Sequence, residues 1–292
     1  MTTSKYDLVV IGAGPGGYVA AIRASQLGLK VAIVERESVG GVCLNWGCIP
    51  TKALLRSAEV GHLLNNLEAY GFSADNISFD IKKIVERSRK VAKQLSSGVS
   101  HLLKKNKVAV IIGSASLKKK SGDEFNIEVF QKDEKYLNLK SKNVIMATGA
   151  RAKSLPNIVP DGKDIWTYKE AMIPNTLPKS ILVIGSGAIG IEFASFYNDL
   201  GVDITVVEVL DRILPAEDID ISNFALKSFV KQGIKIKTSS MVKSLKTSKG
   251  KISVQIETAA GSEEVSVEKV IMAVGITGNT ENLGLENTAA EV

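Results

Sequence analysis

Histidine, cysteine and aromatic residues are scarce in this chain of 292 residues. There are two histidines and two cysteines, and Phe, Trp and Tyr together make up 5% of the sequence. Apolar runs such as residues 180–184 are far shorter than the roughly 18 residues that indicate a membrane span. A strand is already predicted at residues 6–11, so no cleavable leader is expected. We expect a globular protein of the bacterial cytoplasm rather than of the mitochondrial matrix.

The net charge of +6 does not by itself indicate a nucleic-acid partner. The densest basic clusters, at residues 104–107 and 118–120, contain no interleaved aromatic residues. Proteins that bind single-stranded nucleic acid combine positive charge with aromatic stacking platforms. The clusters therefore predict a solvated face, with neither a nucleic-acid nor a membrane partner.

The two cysteines, Cys43 and Cys48, lie five residues apart. They could be unrelated buried residues, because free cysteine is often buried. A structural disulfide is disfavoured, since disulfides in a reducing compartment are usually catalytic or redox-sensing. Zinc would need about four ligands, and only two histidines are available, so no metal site is expected. We interpret the pair as a redox-active dithiol.

A strand–turn–helix–strand–acid pattern occurs twice, at residues 7–35 and 180–208. Each copy has an apolar strand, a G-x-G-x-x-G turn, a helix rich in small residues, a second strand and a glutamate. The glycines are Gly12, Gly14 and Gly17 in the first copy, and Gly185, Gly187 and Gly190 in the second. The acids are Glu35 and Glu208.

This pattern is typical of dinucleotide-binding sites, for physical reasons. Its glycines permit a tight turn, close approach to a pyrophosphate and close packing of helix on strand. The helix N-terminus attracts phosphates, and the acid accepts hydrogen bonds from a ribose. An acid such as Glu208 would repel the 2′-phosphate of NADP, and Arg212 lies too far along to bind one. The second copy is therefore predicted to bind NAD.

The remaining chain alternates predicted helices and strands. A helix is expected to begin near Pro50, and an amphipathic helix is expected over residues 79–105. We read Pro156–Pro178 as a linker. Strands are predicted at residues 108–113, 125–129, 136–139, 143–149, 252–257, 264–267 and 270–275.

The segment Gly40-Gly41-Val42-Cys43-Leu44-Asn45-Trp46-Gly47-Cys48-Ile49-Pro50-Thr51-Lys52 carries the most specific resemblance. With the two glycine turns, it resembles the flavin-dependent pyridine nucleotide–disulfide oxidoreductases, most closely their dihydrolipoamide dehydrogenase branch. Four residues separate the cysteines, as in the lipoamide, glutathione and mercuric reductases. Ala188 fits the lipoamide branch, because glutathione reductases commonly carry a gating tyrosine there. Supporting matches are residues 147–149, 185–192, 212–215 and 279–286.

The resemblance implies an α/β fold with two Rossmann-like dinucleotide-binding domains, the NAD domain being inserted in the FAD domain. Three-layer sandwiches with small antiparallel β-meanders are expected. The implied boundaries are 1–150 for the FAD domain with its redox disulfide and 151–275 for the NAD domain. Residues 276–292 would begin the return to the FAD domain.

The resemblance also implies the role of each candidate site residue. Cys43 would be the thiol that meets the substrate, and Cys48 would face the flavin. Lys52 would pair with Glu192 beside the flavin. Implied FAD contacts are Gly12, Gly14, Gly17, Glu35, Lys52, Ala115, Thr148 and Gly149. Implied NAD contacts are Gly185, Gly187, Gly190, Glu208 and Gly275.

The implied reaction is oxidation of dihydrolipoamide to lipoamide through Cys43–Cys48 and FAD, with NAD as the final acceptor. The implied partners are the lipoyl domain of an acyltransferase or H-protein and, in a full-length enzyme, a second copy of the chain. Another disulfide reductase, of the mercuric or glutathione type, and a non-catalytic nucleotide-binding fragment are the alternatives.

Two departures from the family pattern qualify this expectation. Family members continue into a dimerisation domain with a His–Glu base, so we expect an N-terminal fragment that is inactive alone. His62 and His101 are expected to be structural or solvent-facing, and not that base. Residues 275–279 read Gly-Ile-Thr-Gly-Asn where many members have Gly-Arg-x-Pro-Asn.

Overall fold

The computed structural model describes residues 4–131, 136–248 and 250–292, and its α/β architecture confirms the predicted fold class. The chain forms two compact units. The first combines Met1–Ile49, Lys90–Arg151 and Gly278–Val292, and the second combines Pro50–Arg89 and Ala152–Thr277. Both segments of the second unit are therefore inserted in the sequence of the first.

The helices are α1 (Pro15–Gln26), α2 (Gly41–Trp46), α3 (Cys48–Asn65), α4 (Ile81–Lys105), α5 (Tyr168–Met172), α6 (Ala188–Asp199) and α7 (Ile219–Lys231). The strands are β1 (Ser4–Ile11), β2 (Val31–Glu35), β3 (Ala109–Ile112), β4 (Ser114–Ser121), β5 (Glu124–Phe130), β6 (Tyr136–Met146), β7 (Ala150–Ala152), β8 (Ile165–Trp166), β9 (Ser180–Ile184), β10 (Asp203–Val207), β11 (Lys235–Lys237), β12 (Met241–Ser248), β13 (Lys251–Thr258), β14 (Gly261–Val267), β15 (Lys269–Met272) and β16 (Ile276–Gly278). Short 3-10 helices cover Leu67–Tyr70 and Leu285–Asn287.

The first unit is built on a six-stranded sheet in the order β3-β2-β1-β6-β5-β4. The first four strands in this order are parallel, and β6, β5 and β4 form an antiparallel meander. Alternate residues of β1 face two separate apolar clusters, because side chains on a strand alternate between faces. Val10 packs in one cluster with Leu103 of α4, and Val9 packs in the other with Ile127. These layers position the first glycine turn at the carboxyl end of β1.

The second unit repeats this plan on a five-stranded parallel sheet in the order β11-β10-β9-β15-β8. One face of the sheet is covered by the three-stranded antiparallel sheet β12-β13-β14, through contacts such as Val254 with Leu182. Tyr197 of α6 is fully buried, and its hydroxyl donates a 2.7 Å hydrogen bond to the Ala171 carbonyl. Its burial raises the pKa of the Tyr197 hydroxyl, so this donor stays protonated.

Several predicted elements were wrong in extent. Pro156–Pro178 is not merely a linker, because it contains α5 and β8, which pairs in parallel with β15. Strands β4 and β12 and helix α2 were not predicted. The strands predicted at residues 136–139 and 143–149 are one continuous strand, β6. The predicted amphipathic helix is confirmed as α4.

Among the described residues, no helix has the length and apolarity needed to cross a membrane.

Candidate functional site

The first glycine turn joins β1 to α1 with no room for a side chain at two positions. A Cβ on Gly12, which has φ +102°, would lie 2.2 Å from the Ala147 carbonyl oxygen. A Cβ on Gly17 would lie 1.8 Å from the Gly12 carbonyl oxygen. Both contacts involve backbone atoms, which cannot rotate away. Glycine is therefore required where the strand, the turn and the helix meet.

The second glycine turn, between β9 and α6, repeats these contacts. A Cβ on Gly185, with φ +98°, would lie 2.5 Å from the Ala273 carbonyl oxygen. A Cβ on Gly190 would lie 2.1 Å from the Gly185 carbonyl oxygen. The internal repeat of the sequence is thus a repeat of backbone geometry.

The two acids of the repeat are buried and point back to their own glycine turns. Glu35 ends β2, and its Oε2 accepts a 2.7 Å hydrogen bond from the Ala13 amide. Glu208 follows β10, and its Oε2 accepts a 2.8 Å hydrogen bond from the Ser186 amide. Each carboxylate therefore lies beside the turn that precedes the helix, where a ribose would follow a bound pyrophosphate.

Both turns fit the pyrophosphate of a dinucleotide. A Cβ on Gly187 would meet no atom of the described chain within 4 Å, and one on Gly14 would meet Gly41 Cα only at 3.8 Å. These two glycines immediately precede α1 and α6, each of 12 residues. Helices of this length offer unpaired amides and a partial positive charge to an anion at such an open position.

The cysteine segment folds as two helices joined at Gly47. Cys43 lies in the six-residue helix α2, and Cys48 is the first residue of α3. A Cβ on Gly47 would lie 3.0 Å from the Val42 carbonyl oxygen, so the chain turns back closely at this glycine. The turn brings the Cys43 and Cys48 sulfurs to 2.7 Å in this dithiol form. Both sulfurs are thus placed for thiol–disulfide exchange.

The cysteine segment packs directly on the first glycine turn. A Cβ on Gly41, with φ +59°, would lie 2.6 Å from Gly14 Cα. The Gly40 amide donates a 2.8 Å hydrogen bond to the Ala13 carbonyl. The Asn45 side-chain amide donates a 2.9 Å hydrogen bond to the Gly41 carbonyl within the cysteine segment. The cysteine segment and the first glycine turn therefore pack directly against each other and are joined by a backbone hydrogen bond.

The second unit contains the ion pair between Lys52 and Glu192. Lys52 Nζ on α3 lies 2.6 Å from Glu192 Oε1 on α6. The Lys52 side chain is 66% exposed and that of Glu192 is 30% exposed. Because solvent screens such a pair, it contributes little to stability. Sequence spacing alone could not predict this contact across 140 residues.

The other predicted cofactor residues lie on both units. Ala115 is buried on β4. Thr148 and Gly149 form the turn after β6, and Gly149 has φ +67°. Gly275 follows β15 with φ +113°.

The sequence interpretation missed a hydrogen-bonded cluster around Asn279. The Asn279 side chain donates to the Thr148 carbonyl at 2.9 Å, and Thr148 Oγ1 donates to the Asn279 carbonyl at 2.7 Å. Arg151 donates to Asn279 Oδ1 at 3.0 Å and forms two hydrogen bonds with Glu281. Asn279 therefore fixes the Thr148 turn even though the residues before it depart from the family pattern.

The Arg151–Glu281 pair predicts a pH dependence of stability. Hydrogen bonding from Arg151 lowers the pKa of Glu281 from an ordinary 4.5 to about 2. A lowered folded-state pKa stabilises the fold above pH 4.5, and this contribution is lost as the pH falls towards 2. We expect Glu281→Gln to lower stability by a constant amount near neutral pH and by progressively less as the solution is made acidic.

Chemical denaturation of the wild type and Glu281→Gln, in a series from neutral to about pH 3.5, measures this effect. Glu286→Gln removes a carboxylate from the same segment and is the matched control. Because both partners are solvent-exposed, added salt should shrink the Glu281 effect. A Glu281→Gln difference that grows towards acid pH would contradict the assignment.

The two histidines lie away from the cysteine pair in sequence and have separate surroundings. His62 Nδ1 on α3 is 3.4 Å from Asp199 Oδ1, with the imidazole 53% exposed. Burial raises the pKa of the Asp199 carboxyl, although His62 acts in the opposite direction. His101 is exposed on α4. These placements agree with the predicted structural and solvent-facing roles.

Comparison with known proteins places these observations in a family. The family model for pyridine nucleotide-disulphide oxidoreductase matches residues 6–292. The chain is 52% identical over 294 residues to a dihydrolipoyl dehydrogenase of Rhizobium etli, covering 97% of this chain and 61% of that protein. It is 51% identical over 284 residues to a dihydrolipoyl dehydrogenase of Zymomonas mobilis, covering 96% and 60% respectively. The chain thus spans about three fifths of these relatives' length.

Solved structures show the same similarity. LpdA of Mycobacterium tuberculosis matches with a TM-score of 0.89 and 26% identity, covering 99% of this chain and 62% of that one. The HOCl-induced flavoprotein disulfide reductase RclA of Escherichia coli, in its Cu(II) complex, matches with a TM-score of 0.83 and 25% identity. That match covers 100% of this chain and 61% of RclA.

Proposed function

Because the chain belongs to the pyridine nucleotide-disulphide oxidoreductase family, we propose that it forms the nucleotide-binding and thiol-exchanging part of a flavin-dependent dihydrolipoyl dehydrogenase. The observation that carries this proposal is the 2.7 Å separation of the Cys43 and Cys48 sulfurs in a loop packed on the first glycine turn. A structural cysteine pair has no need of a phosphate-binding turn beside it.

The family uses FAD and NAD, and we assign one cofactor to each glycine turn. FAD would be held by the first turn and Glu35, with Ala115, Thr148 and Gly149 nearby. NAD would be held by Gly185, Gly187, Gly190 and Glu208, with Gly275 nearby. When bound, FAD supplies a two-electron acceptor for the dithiol, and NAD supplies a hydride acceptor. The placement of Lys52 and Glu192 beside the flavin stays a prediction.

The chain's own chemistry is thiol–disulfide exchange. A dithiol substrate, as thiolate, attacks Cys43 Sγ of the Cys43–Cys48 disulfide, and Cys48 leaves as a thiolate. The second substrate thiol then attacks the mixed disulfide, releasing Cys43 and closing the substrate disulfide. The substrate is oxidised by two electrons, which the Cys43/Cys48 dithiol now carries. The Gly47 turn keeps both sulfurs close, so ring closure in the reverse direction needs little rearrangement.

We propose dihydrolipoamide as the dithiol, carried by the lipoyl domain of an acyltransferase or H-protein. The curated relatives bear the name dihydrolipoyl dehydrogenase, and Ala188 leaves the second turn without a tyrosine. A homodimer and a location in the bacterial cytoplasm accompany this proposal. Inactivity of the 292-residue chain on its own stays a prediction.

The experiment that tests the proposal counts cysteine thiols after reduction by NADH. The FAD-loaded chain, first oxidised, is incubated anaerobically with NADH, alkylated and weighed by mass spectrometry. We expect two alkylated cysteines after NADH and close to none after buffer or NADPH. Cys43→Ser, which cannot form the disulfide, is the control for alkylation efficiency. Failure of NADH to expose thiols in a chain that retains FAD would contradict the proposed function.

A further inference from the structure

The two glycine turns have the same backbone geometry but differ in one buried side chain. Ala13 in the first turn and Ser186 in the second are both fully buried. Both donate a backbone amide to the acid of their unit. Ser186 adds a second contact, because its hydroxyl donates a 2.7 Å hydrogen bond to Glu208 Oε2. The same oxygen of Glu208 therefore receives two donors from one residue.

The hydroxyl of Ser186 is not needed to build the turn. The Ser186 carbonyl accepts a 3.0 Å hydrogen bond from the Leu214 amide. The Ala13 carbonyl accepts the equivalent bond from the Gly40 amide at 2.8 Å. Since alanine supports the same backbone in the first turn, the extra contact in the second calls for a different explanation.

The added donor makes the two oxygens of Glu208 unequal. A carboxylate oxygen offers about two acceptor positions. Both positions on Glu208 Oε2 are taken by Ser186, whereas Oε1 accepts only the Leu210 amide, at 2.9 Å, among the described residues. In Glu35 the donors are evenly divided, with Ala13 on Oε2 and Glu37 on Oε1. Of the two Glu208 oxygens, Oε1 therefore keeps the acceptor position for a ligand hydroxyl.

We propose that Ser186 is a specificity-determining positioning residue, which holds Glu208 so that Oε1 alone is presented to the 2′-hydroxyl of an adenosine ribose. This inference rests on the proposed binding of NAD by the second unit. A carboxylate fixed by three donors cannot rotate away from a ligand. It accepts from a 2′-hydroxyl and repels the 2′-phosphate of NADP. Ser186 thus acts through Glu208 on the choice between the two nucleotides.

The test compares two ligands that differ by one hydroxyl, ADP and 2′-deoxy-ADP, on the FAD-loaded chain by calorimetry. Bound FAD keeps these ligands out of the first turn. We expect Ser186→Ala to weaken ADP binding by at least about tenfold, as for loss of one hydrogen bond to a charged group. Binding of 2′-deoxy-ADP should change less than about twofold, and the preference for NADH over NADPH should fall. Ser186→Thr, which keeps the hydroxyl, should retain the preference for ADP over 2′-deoxy-ADP.

The outcomes separate this inference from the proposed function. If Ser186→Ala weakened the binding of ADP and of 2′-deoxy-ADP equally, the Ser186 hydroxyl would have only a structural role. That result would overturn this inference but not the proposed function. No weakening of either ligand would overturn it as well. A wild-type chain that retains FAD but binds neither NADH nor ADP would overturn the NAD site and the inference together.

Discussion

Replacing Gly17 by alanine is expected to abolish tight FAD binding by the first unit. The added Cβ would lie 1.8 Å from the Gly12 carbonyl oxygen and 3.3 Å from the Ala147 side chain. The helix must then move away from the strand, at a cost on the order of 3 kcal/mol for forced overpacking. If the binding turn alone bears that cost, FAD affinity falls about hundredfold.

Gly16→Ala is the matched control, because a Cβ on Gly16 would meet no described atom within 4 Å. Gly16 is exposed in the first turn of α1, where alanine favours the helix by roughly 0.5–1 kcal/mol. We therefore expect Gly16→Ala to bind FAD as the wild type does and to melt at the same temperature or slightly higher. Flavin fluorescence quenching measures both affinities. Equal FAD affinity of Gly17→Ala and Gly16→Ala would show that the close approach of Gly17 to Gly12 does not govern the turn.

Replacing Cys48 by serine is expected to slow the single-turnover reduction of bound FAD by excess dihydrolipoamide by at least about a thousandfold. This half-reaction is distinct from the catalytic turnover that the chain alone is predicted to lack. Cys43 alone cannot form the intramolecular disulfide that accepts two electrons, so a substrate thiolate has no disulfide bond to attack and no leaving thiolate to displace. The measurement is anaerobic stopped-flow absorbance of the bound flavin after mixing with dihydrolipoamide.

Cys43→Ser should show the same loss, but the two variants should differ in alkylation. In this structure Cys48 is exposed and Cys43 half-buried. The implied roles place Cys48 against the flavin and Cys43 towards the substrate. FAD should therefore slow iodoacetamide modification of Cys48 in Cys43→Ser about tenfold or more, while leaving Cys43 in Cys48→Ser little changed. If FAD instead slowed the modification of Cys43, then Cys43 would be the cysteine that faces the flavin and Cys48 the one that faces the substrate.

The local geometry of the site could be predicted from the sequence because short segments determine it. Gly12, Gly17 and Glu35 lie within one strand–turn–helix–strand unit, so their spacing is enough to place them. The cysteine pair was predicted for the same reason, since Gly47 needs only its immediate neighbours to bring Cys43 and Cys48 together.

Contacts between distant segments could not be predicted in this way. Asn279 meets Thr148 across 131 residues, and neither the composition nor the periodicity of either segment indicates the other. The pairing of Lys52 with Glu192 was anticipated only through the family resemblance. Strand β8 has two residues and exists because it pairs with β15, so no local pattern could reveal it. Strand β4 was not predicted because it contains lysines at residues 118–120, and lysine is uncommon in strands.

The most direct test of the central claim is an anaerobic titration of the FAD-loaded chain with dihydrolipoamide, followed by its visible spectrum. If the dithiol and the first glycine turn form one redox site, reduction should produce a long-wavelength thiolate-to-flavin absorption band, and Cys48→Ser should lack it. A chain that retains FAD and is reduced without that band would contradict the placement of Cys48 beside the flavin.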